Sequence, residues 1–179
     1  TGATVGKFFG MQHAMKGGLG TYCLKVDDLM VGAVVAVNCL GDVVSPADGT
    51  ILAGAVKDDP VAFLRTEESM IAQYGNKANL FAGNTSIGVV ITNAGLTKAQ
   101  ANKVASMSHN GYARTMRPAH TIFDGDTIFC LATAGVTADI SVVGLLAAKV
   151  IERAVISAIK QATPLAGYKC YRDIQQGKA

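Results

Sequence analysis

The segment Asn84-Thr85-Ser86-Ile87-Gly88-Val89-Val90 puts a hydroxyl residue at the head of an apolar run. Cutting the Asn84–Thr85 bond would make Thr85 an N-terminus, with an α-amine on the residue that carries the hydroxyl. Such an amine has a reference pKa of about 7.7–8.0 and is substantially neutral near physiological pH. It can take the hydroxyl proton as a local base, the Thr/N-terminal-amine form of an activated nucleophile. The plainer reading of these seven residues is a turn Asn leading into a buried strand. Acyl transfer also needs donors aimed at the developing oxyanion, and Asn38, near the end of another apolar run, carries a side-chain amide. Lys7 is a cation that can lower an amine pKa or stabilise negative charge. Asp124 and Asp126 flank Gly125 and could orient the α-ammonium and the hydroxyl. The structural alternatives are a plain turn at Asp124-Gly125-Asp126, a strand-end cap at Asn38 and a solvated charge at Lys7. The spacing of His13, His109 and His120 gives no support for a triad. His120, just before the Asp-Gly-Asp turn, is the best placed of the three to line the site.

These residues need a packed scaffold, and the composition provides for one. The chain has 179 residues, enough for one domain with a sizeable core. Half of it is hydrophobic and 16% is charged, which excludes a disordered chain. It suits a tightly packed protein with part of its surface covered by another chain. The net charge of +3 is mild, and no Lys/Arg cluster is interleaved with aromatics, so nucleic-acid binding is not expected. Cys23, Cys39, Cys130 and Cys170 form no CxxC pair, which argues against a zinc site. Each lies in or near an apolar run, so reduced, buried thiols and a cytoplasmic location are expected. The chain opens Thr1-Gly2-Ala3 without a Met or a basic leader and reads as a processed or trimmed product. The longest apolar tract, Val136–Val150, contains Asp139 and Ser141 and is too short and polar to span a bilayer.

The coarse order is strands, helix, strands, helix. Strands are expected at 21–26 and 50–53, and over 29–39, where a Val-rich run reads as buried on both faces. Asp27-Asp28 and Ser45-Pro46-Ala47-Asp48-Gly49 are turns. Residues 61–74 carry helical spacing, and 75–84 read as an exposed loop suited to cleavage. A strand over 86–93 precedes Thr97-Lys98-Ala99-Gln100, a capping-box pattern that opens a helix to about Arg114. Met116-Arg117-Pro118 ends that helix. Phe123-Asp124-Gly125-Asp126 reads as a hairpin-type turn before a strand over 127–134. A long helix follows over 138–161, with Val142, Leu145, Leu146, Ala148, Val150, Ile151, Val155 and Ile159 as its apolar face. Residues 168–174 read as a terminal strand or tail. This order predicts a layered α/β or α+β domain whose sheet is covered by helices.

Several blocks together resemble one family. They are Gly2–Met11 (GATVGKFFGM), Met15–Gly20 (MKGGLG), Val31–Val43 (VGAVVAVNCLGDV), Asn84–Asn93 (NTSIGVVITN) and Arg117–Thr127 (RPAHTIFDGDT). In this order they resemble the P1 (S58) family of self-processing aminopeptidases. That family contains L-aminopeptidase D-amidase/esterase, the β-aminopeptidases and the nylon-oligomer hydrolase. The resemblance covers most of residues 1–160.

The resemblance implies an α+β fold, a four-layer αββα sandwich like that of the N-terminal-nucleophile (Ntn) hydrolases but with different connectivity. It implies a precursor that cuts itself between Asn84 and Thr85, so that the new N-terminal Thr85 hydrolyses amides and esters. Residues 1–179 would form one domain, incomplete at its N-terminus. Residues 1–84 would be the C-terminal part of an α subunit, and 85–179 a β subunit. Asn38 falls on the family's oxyanion-side Asn, Lys7 on a Lys used near the nucleophile in the nylon-hydrolase branch, and Asp124 and Asp126 on the supporting polar pair. No cofactor or metal is implied. The partners implied are a small peptide, aminoacyl amide or ester, and further copies of the chain in a homo-oligomer, often a tetramer. Two departures stand out. A long Gly-rich N-terminal segment of the family is absent, so the remainder is expected as a separate chain or the sequence as a fragment. Thr also stands where the aminopeptidase branch commonly has Ser. The rival readings are an acyltransferase of the ornithine acetyltransferase type and a silent homologue kept as an assembly module.

Overall fold

The computed structural model of the chain describes residues 2–58, 61–73 and 84–176. In chain order the elements are β1 (Thr4–Val5), β2 (Met15–Lys16), β3 (Gly18–Val26), β4 (Leu29–Val37), β5 (Asp42–Val44), β6 (Ile51–Ala53), β7 (Val56–Asp58) and β8 (Val61–Phe63). There follow α1 (Thr66–Ala72), β9 (Ile87–Ala94), α2 (Lys98–Thr115), β10 (Met116–Arg117), β11 (Thr127–Val136), α3 (Ile140–Gln161) and α4 (Tyr171–Gln176). A 3-10 turn covers Met11–His13.

The main sheet has the order β11-β9-β4-β3. β3 and β4 are antiparallel with Val26 opposite Leu29, so Asp27-Asp28 is the two-residue hairpin loop, with Asp27 at φ 50°. β4 and β9 are also antiparallel, whereas β9 and β11 are parallel. A parallel pair needs a crossover, and α2 supplies it. The Asp-Gly-Asp segment is therefore not a hairpin, as its turn chemistry suggested. It is the entry to β11 at the end of a crossover, and Asn84 and Asp124 form a parallel bridge there.

α2 starts as the sequence predicts. Thr97 Oγ1 accepts from Gln100 N at 3.3 Å, and Gln100 Oε1 accepts from Thr97 N at 2.9 Å, closing the capping box. α3 is capped by Asp139, whose carboxylate accepts from Ser141 N and Val142 N. α3 packs on β3 and β4, α2 packs on β11, and the two helices pack on each other. The core lies between this helix layer and one face of the sheet: Val31, Val35, Val37 and Val90 meet Tyr112, Val143, Ala147, Val150, Ile151 and Ala154. The buried face of α3 is displaced from the expected one. Val142 and Leu145 are exposed, because the turn-by-turn register sends Val143, Ala147 and Ala154 inward instead.

Other expectations are corrected as well. β4 is buried on one face only; its alternate residues are half-buried or exposed, because no described element covers that side of the sheet. Val61–Phe63 is a strand before the short helix α1, and the C-terminal stretch holds the helix α4. Cys39 and Cys170 are buried, Cys130 is intermediate and Cys23 is exposed on the outer edge strand β3. The expected cleavage loop lies outside the described residues over 75–83. Its last residue, Asn84, is buried. No helix among the described residues is long and apolar enough to cross a membrane.

Candidate active site

Gly6 begins the placement of Lys7. It has φ +71°, and a Cβ there would stand 1.9 Å from Ala55 N, so glycine alone lets the chain pass. Gly6 N then donates to Gly41 O at 2.9 Å and Lys7 N to Leu40 O at 2.8 Å. This lays residues 6–7 along 40–41, beyond the end of β4. The Lys7 side chain is 4% exposed, and its Nζ donates to Asn38 O at 2.8 Å. Burial pushes the Lys7 ammonium below its ordinary pKa, while the fields of Cys39, Asp124 and Asp126 oppose the shift.

Asn38, the residue after β4, ties three segments together. Its N–H donates to Ser86 Oγ at 3.2 Å, its Oδ1 accepts from Thr4 N at 3.1 Å and its carbonyl holds Lys7. Next to it, Cys39 is fully buried, and its Sγ donates to Gly41 O at 3.3 Å. Burial and the neighbouring carboxylates push this thiol well above its usual pKa, so it is an inert packing group.

Asp124 Oδ1 accepts from Leu40 N at 3.0 Å and its Oδ2 from Thr121 Oγ1 at 2.7 Å. Burial raises its pKa. The bonds from Thr121 and Leu40 pull the other way, and Asp126 adds to the rise. Asp126 Oδ1 accepts from Ser86 N at 2.9 Å. Between the two carboxylates, Gly125 N donates to Asn84 O at 2.8 Å, and beyond them Thr127 N donates to Ser86 O at 3.0 Å. Asn84–Ser86 is thereby held in line with β9, alongside the approach to β11. Thr85 is half-buried, and its Oγ1 would stand only 2.6 Å from a Cβ on Gly125.

The structure thus brings Lys7, Asn38, Asn84, Thr85, Asp124 and Asp126 into one hydrogen-bonded neighbourhood. His120 is exposed at the rim, and its Nε2 meets His109 Nδ1 at 2.9 Å. Burial and His120 together lower the His109 pKa, and Asp126 raises it. His13 is engaged elsewhere, with Nδ1 3.0 Å from Val56 O. Thr121, Leu40 N–H, Gly125 N–H and Ser86 were not picked out in the sequence. Thr121 sits three residues before Asp124, a spacing that could have flagged it. The backbone donors carry no residue identity to read. Chemically, the arrangement holds a hydroxyl next to a carbonyl whose oxygen already accepts an N–H, with a buried cation and two carboxylates alongside. Among the described residues no group of three or more His, Cys, Asp or Glu is placed to hold a metal ion.

Comparison with known proteins finds relatives of the chain. An uncharacterised aminopeptidase of Mycobacterium tuberculosis is 38% identical over 184 residues, covering 92% of this chain and 54% of its own length. The 6-aminohexanoate-oligomer endohydrolase of Paenarthrobacter ureafaciens is 31% identical over 122 residues, covering 65% of this chain and 33% of its own. The solved L-aminopeptidase D-Ala-esterase/amidase of Ochrobactrum anthropi superposes with a TM-score of 0.58 at 15% identity, over 99% of this chain and 50% of that one. It shows that the α+β fold is of the Ntn-hydrolase-like kind. The chain spans about half the length of the mycobacterial relative. The profile of peptidase family S58 matches residues 1–172, and the chain belongs to that family.

Proposed function

We propose that this protein is a self-processing amidohydrolase or aminopeptidase that cleaves Asn84–Thr85 and uses the new N-terminal Thr85 as its nucleophile. The observation that carries this reading is the bond from Gly125 N to Asn84 O, at the one carbonyl that the Thr85 hydroxyl can reach by an N→O shift. An N–H donor on that oxygen stabilises the charge it gains when attacked.

In the first stage Thr85 Oγ adds to the Asn84 carbonyl carbon and the C–N bond breaks. The hydroxyl proton passes to the departing nitrogen, which leaves an ester. Water then hydrolyses the ester, giving an Asn84 carboxylate and a free Thr85. In the second stage the Thr85 amine takes the hydroxyl proton while Oγ attacks a substrate carbonyl. The Asn38 side-chain NH2 serves the oxyanion, as the family resemblance implies, with its Oδ1 held by Thr4 N. Lys7 supplies positive charge at the site, and Asp124 and Asp126 orient the ammonium and the backbone around Thr85. The leaving amine takes a proton and departs, and water releases the acyl group. The substrates are small peptides, aminoacyl amides or esters.

Intact-mass spectrometry with N-terminal sequencing of the full-length protein tests this. A fragment beginning Thr85-Ser86-Ile87 is expected from wild type, and none from Thr85→Ala, which stays uncut and inactive. Cleavage of Thr85→Ala at the same bond would remove Thr85 from the nucleophile role.

A further inference from the structure

The end of α2, the C-terminal half of α3 and the turn between β5 and β6 enclose a cavity of about 880 Å³ that opens to solvent. Small-molecule sites usually span about 300–1,000 Å³. Arg153, Ile156 and Lys160 stand three and four residues apart on α3 and so share the face that lines the cavity. Arg114 comes from the last turn of α2, and Arg117 follows on β10. Leu52 of β6, which is buried, and the half-buried Ile156 add an apolar wall.

The lining carries four cations against one carboxylate, Glu152, an excess that matches the formal net charge of the whole chain, +3. Glu152 lies 3.6 Å from Arg114. Among the described residues, Arg117, Arg153 and Lys160 form no salt bridge. Asp48, on the same turn, is engaged by its own loop, where its Oδ1 accepts from Thr50 N at 3.1 Å. A helix dipole favours a cation in the last turn, which accounts for Arg114 and Lys160 but not for Arg117 and Arg153. Like charges gathered in a concave site repel one another and focus a positive potential into it. A ligand with several anionic groups relieves that repulsion. Guanidinium forks match the oxygens of phosphate and carboxylate two at a time.

We propose that this cavity binds a small polyanion carrying two or more phosphate or carboxylate groups. Arg153 and Lys160 are spaced by about 10 Å along α3, so separated anionic groups meet both without drawing the two cations together. The site is distinct from the cluster around Thr85: Lys7, Asn38, Asp124 and Asp126 do not line it. Its existence does not depend on the function proposed above.

The test is calorimetric titration of the full-length protein with tripolyphosphate and, separately, with citrate. Saturable binding of one anion per chain is expected for at least one of the two, weakening as sodium chloride is raised. Arg153→Gln combined with Lys160→Gln should weaken it by more than about tenfold, since half of the cations are lost. Lys98→Gln combined with Lys103→Gln removes the same net charge from exposed positions of α2 outside the cavity and should leave the affinity within about threefold of wild type. Tighter binding of tripolyphosphate would assign the site to a phosphate compound, and tighter binding of citrate to a polycarboxylate. Failure of both anions to bind overturns the proposal. So does equal weakening in the two double variants, which would mark attraction to net charge alone. Without anion, the Arg153→Gln, Lys160→Gln protein should melt close to wild type. A Tm lower by more than about 10 °C would mean that these cations are already paired in the complete protein, and it too overturns the proposal. A wild-type protein that never cuts itself would sink the proposed function and leave the titration to decide this site.

Discussion

At the scale of single residues, Gly125 makes the sharpest demand. Its N–H reaches the carbonyl before Thr85, and its missing side chain leaves room for the Thr85 hydroxyl. Gly125→Ala would put a Cβ 2.6 Å from Thr85 Oγ1, closer than the two atoms can stand. The obstructing atom is a side-chain atom, so the hydroxyl rotates away and the fold survives. The expected outcome is a Tm close to wild type and self-cleavage slowed about a hundredfold, the loss that a misplaced reacting atom brings. Cleavage at the wild-type rate, followed by mass spectrometry over time, would show that the hydroxyl works from another rotamer. Lys7, Asn38, Thr85, Asp124 and Asp126 could be picked out as candidates because their types and the blocks around them carry information, and the fold brings them together. Gly125 was read only as the middle of a turn. Its role comes from a backbone N–H, which every residue but proline owns, and from an absent side chain, and neither is visible until the chain is folded.

Asp42 acts at the scale of elements. It opens β5 and was not picked out in the sequence. In the structure it is 2% exposed and fastens two other segments: Oδ1 accepts from Ala55 N at 3.0 Å and Thr66 Oγ1 at 2.9 Å, and Oδ2 from Thr66 N at 2.7 Å. This holds the start of α1 and the approach to β7 against β5. The same segment, at Ala55, abuts Gly6 and so sets the path of Lys7. Asp42→Ala leaves two buried N–H groups unsatisfied and should cost roughly 2–4 kcal/mol of stability. Asp42→Asn, which keeps an acceptor, should cost less. Burial raises the Asp42 pKa above its ordinary 3.8 despite these bonds. The native state therefore keeps its proton to higher pH than the unfolded chain does, and stability falls as pH rises through the window above 3.8. Wild type should lose stability relative to Asp42→Asn across that window, as urea titrations at several pH values would show. A parallel offset at all pH values would mean that the carboxyl titrates alike in both states. The capping box of α2 was legible because local bonds make it. The parallel pairing of β9 with β11 was not, because an Asp-Gly turn looks the same whether the next strand returns beside its predecessor or crosses over a helix.

At the scale of the whole molecule, the main sheet has one covered face and one open one. The open face carries Leu19 from β3, Ile87 and Ile91 from β9, and Phe129 and Leu131 from β11, with Ile91 and Leu131 directly paired. Phe129 is 57% exposed and Leu131 56%. A contiguous apolar face on a central sheet calls for a covering layer. The four-layer sandwich expected from the sequence needs a second sheet here, and the chain spans about half the length of the mycobacterial relative. The sequence does not show this face, because apolar residues stand on both sides of β9 and blur the alternation that would mark one side as outer. The prediction is a difference between contexts. On an open surface Leu131→Lys should change stability by no more than about 0.5 kcal/mol. Beneath a second sheet it buries an unpaired ammonium and should cost several times that, roughly 2–4 kcal/mol. In the full-length protein we expect the larger loss, read as a lower urea midpoint with an unchanged slope. Tyr22→Lys on the inward-alternating register of β3, 40% exposed at the outer edge of the sheet, is the control and should be close to neutral. If both substitutions are equally mild, the outer face is free surface in the complete protein, and its apolar residues must be explained by something other than a second layer.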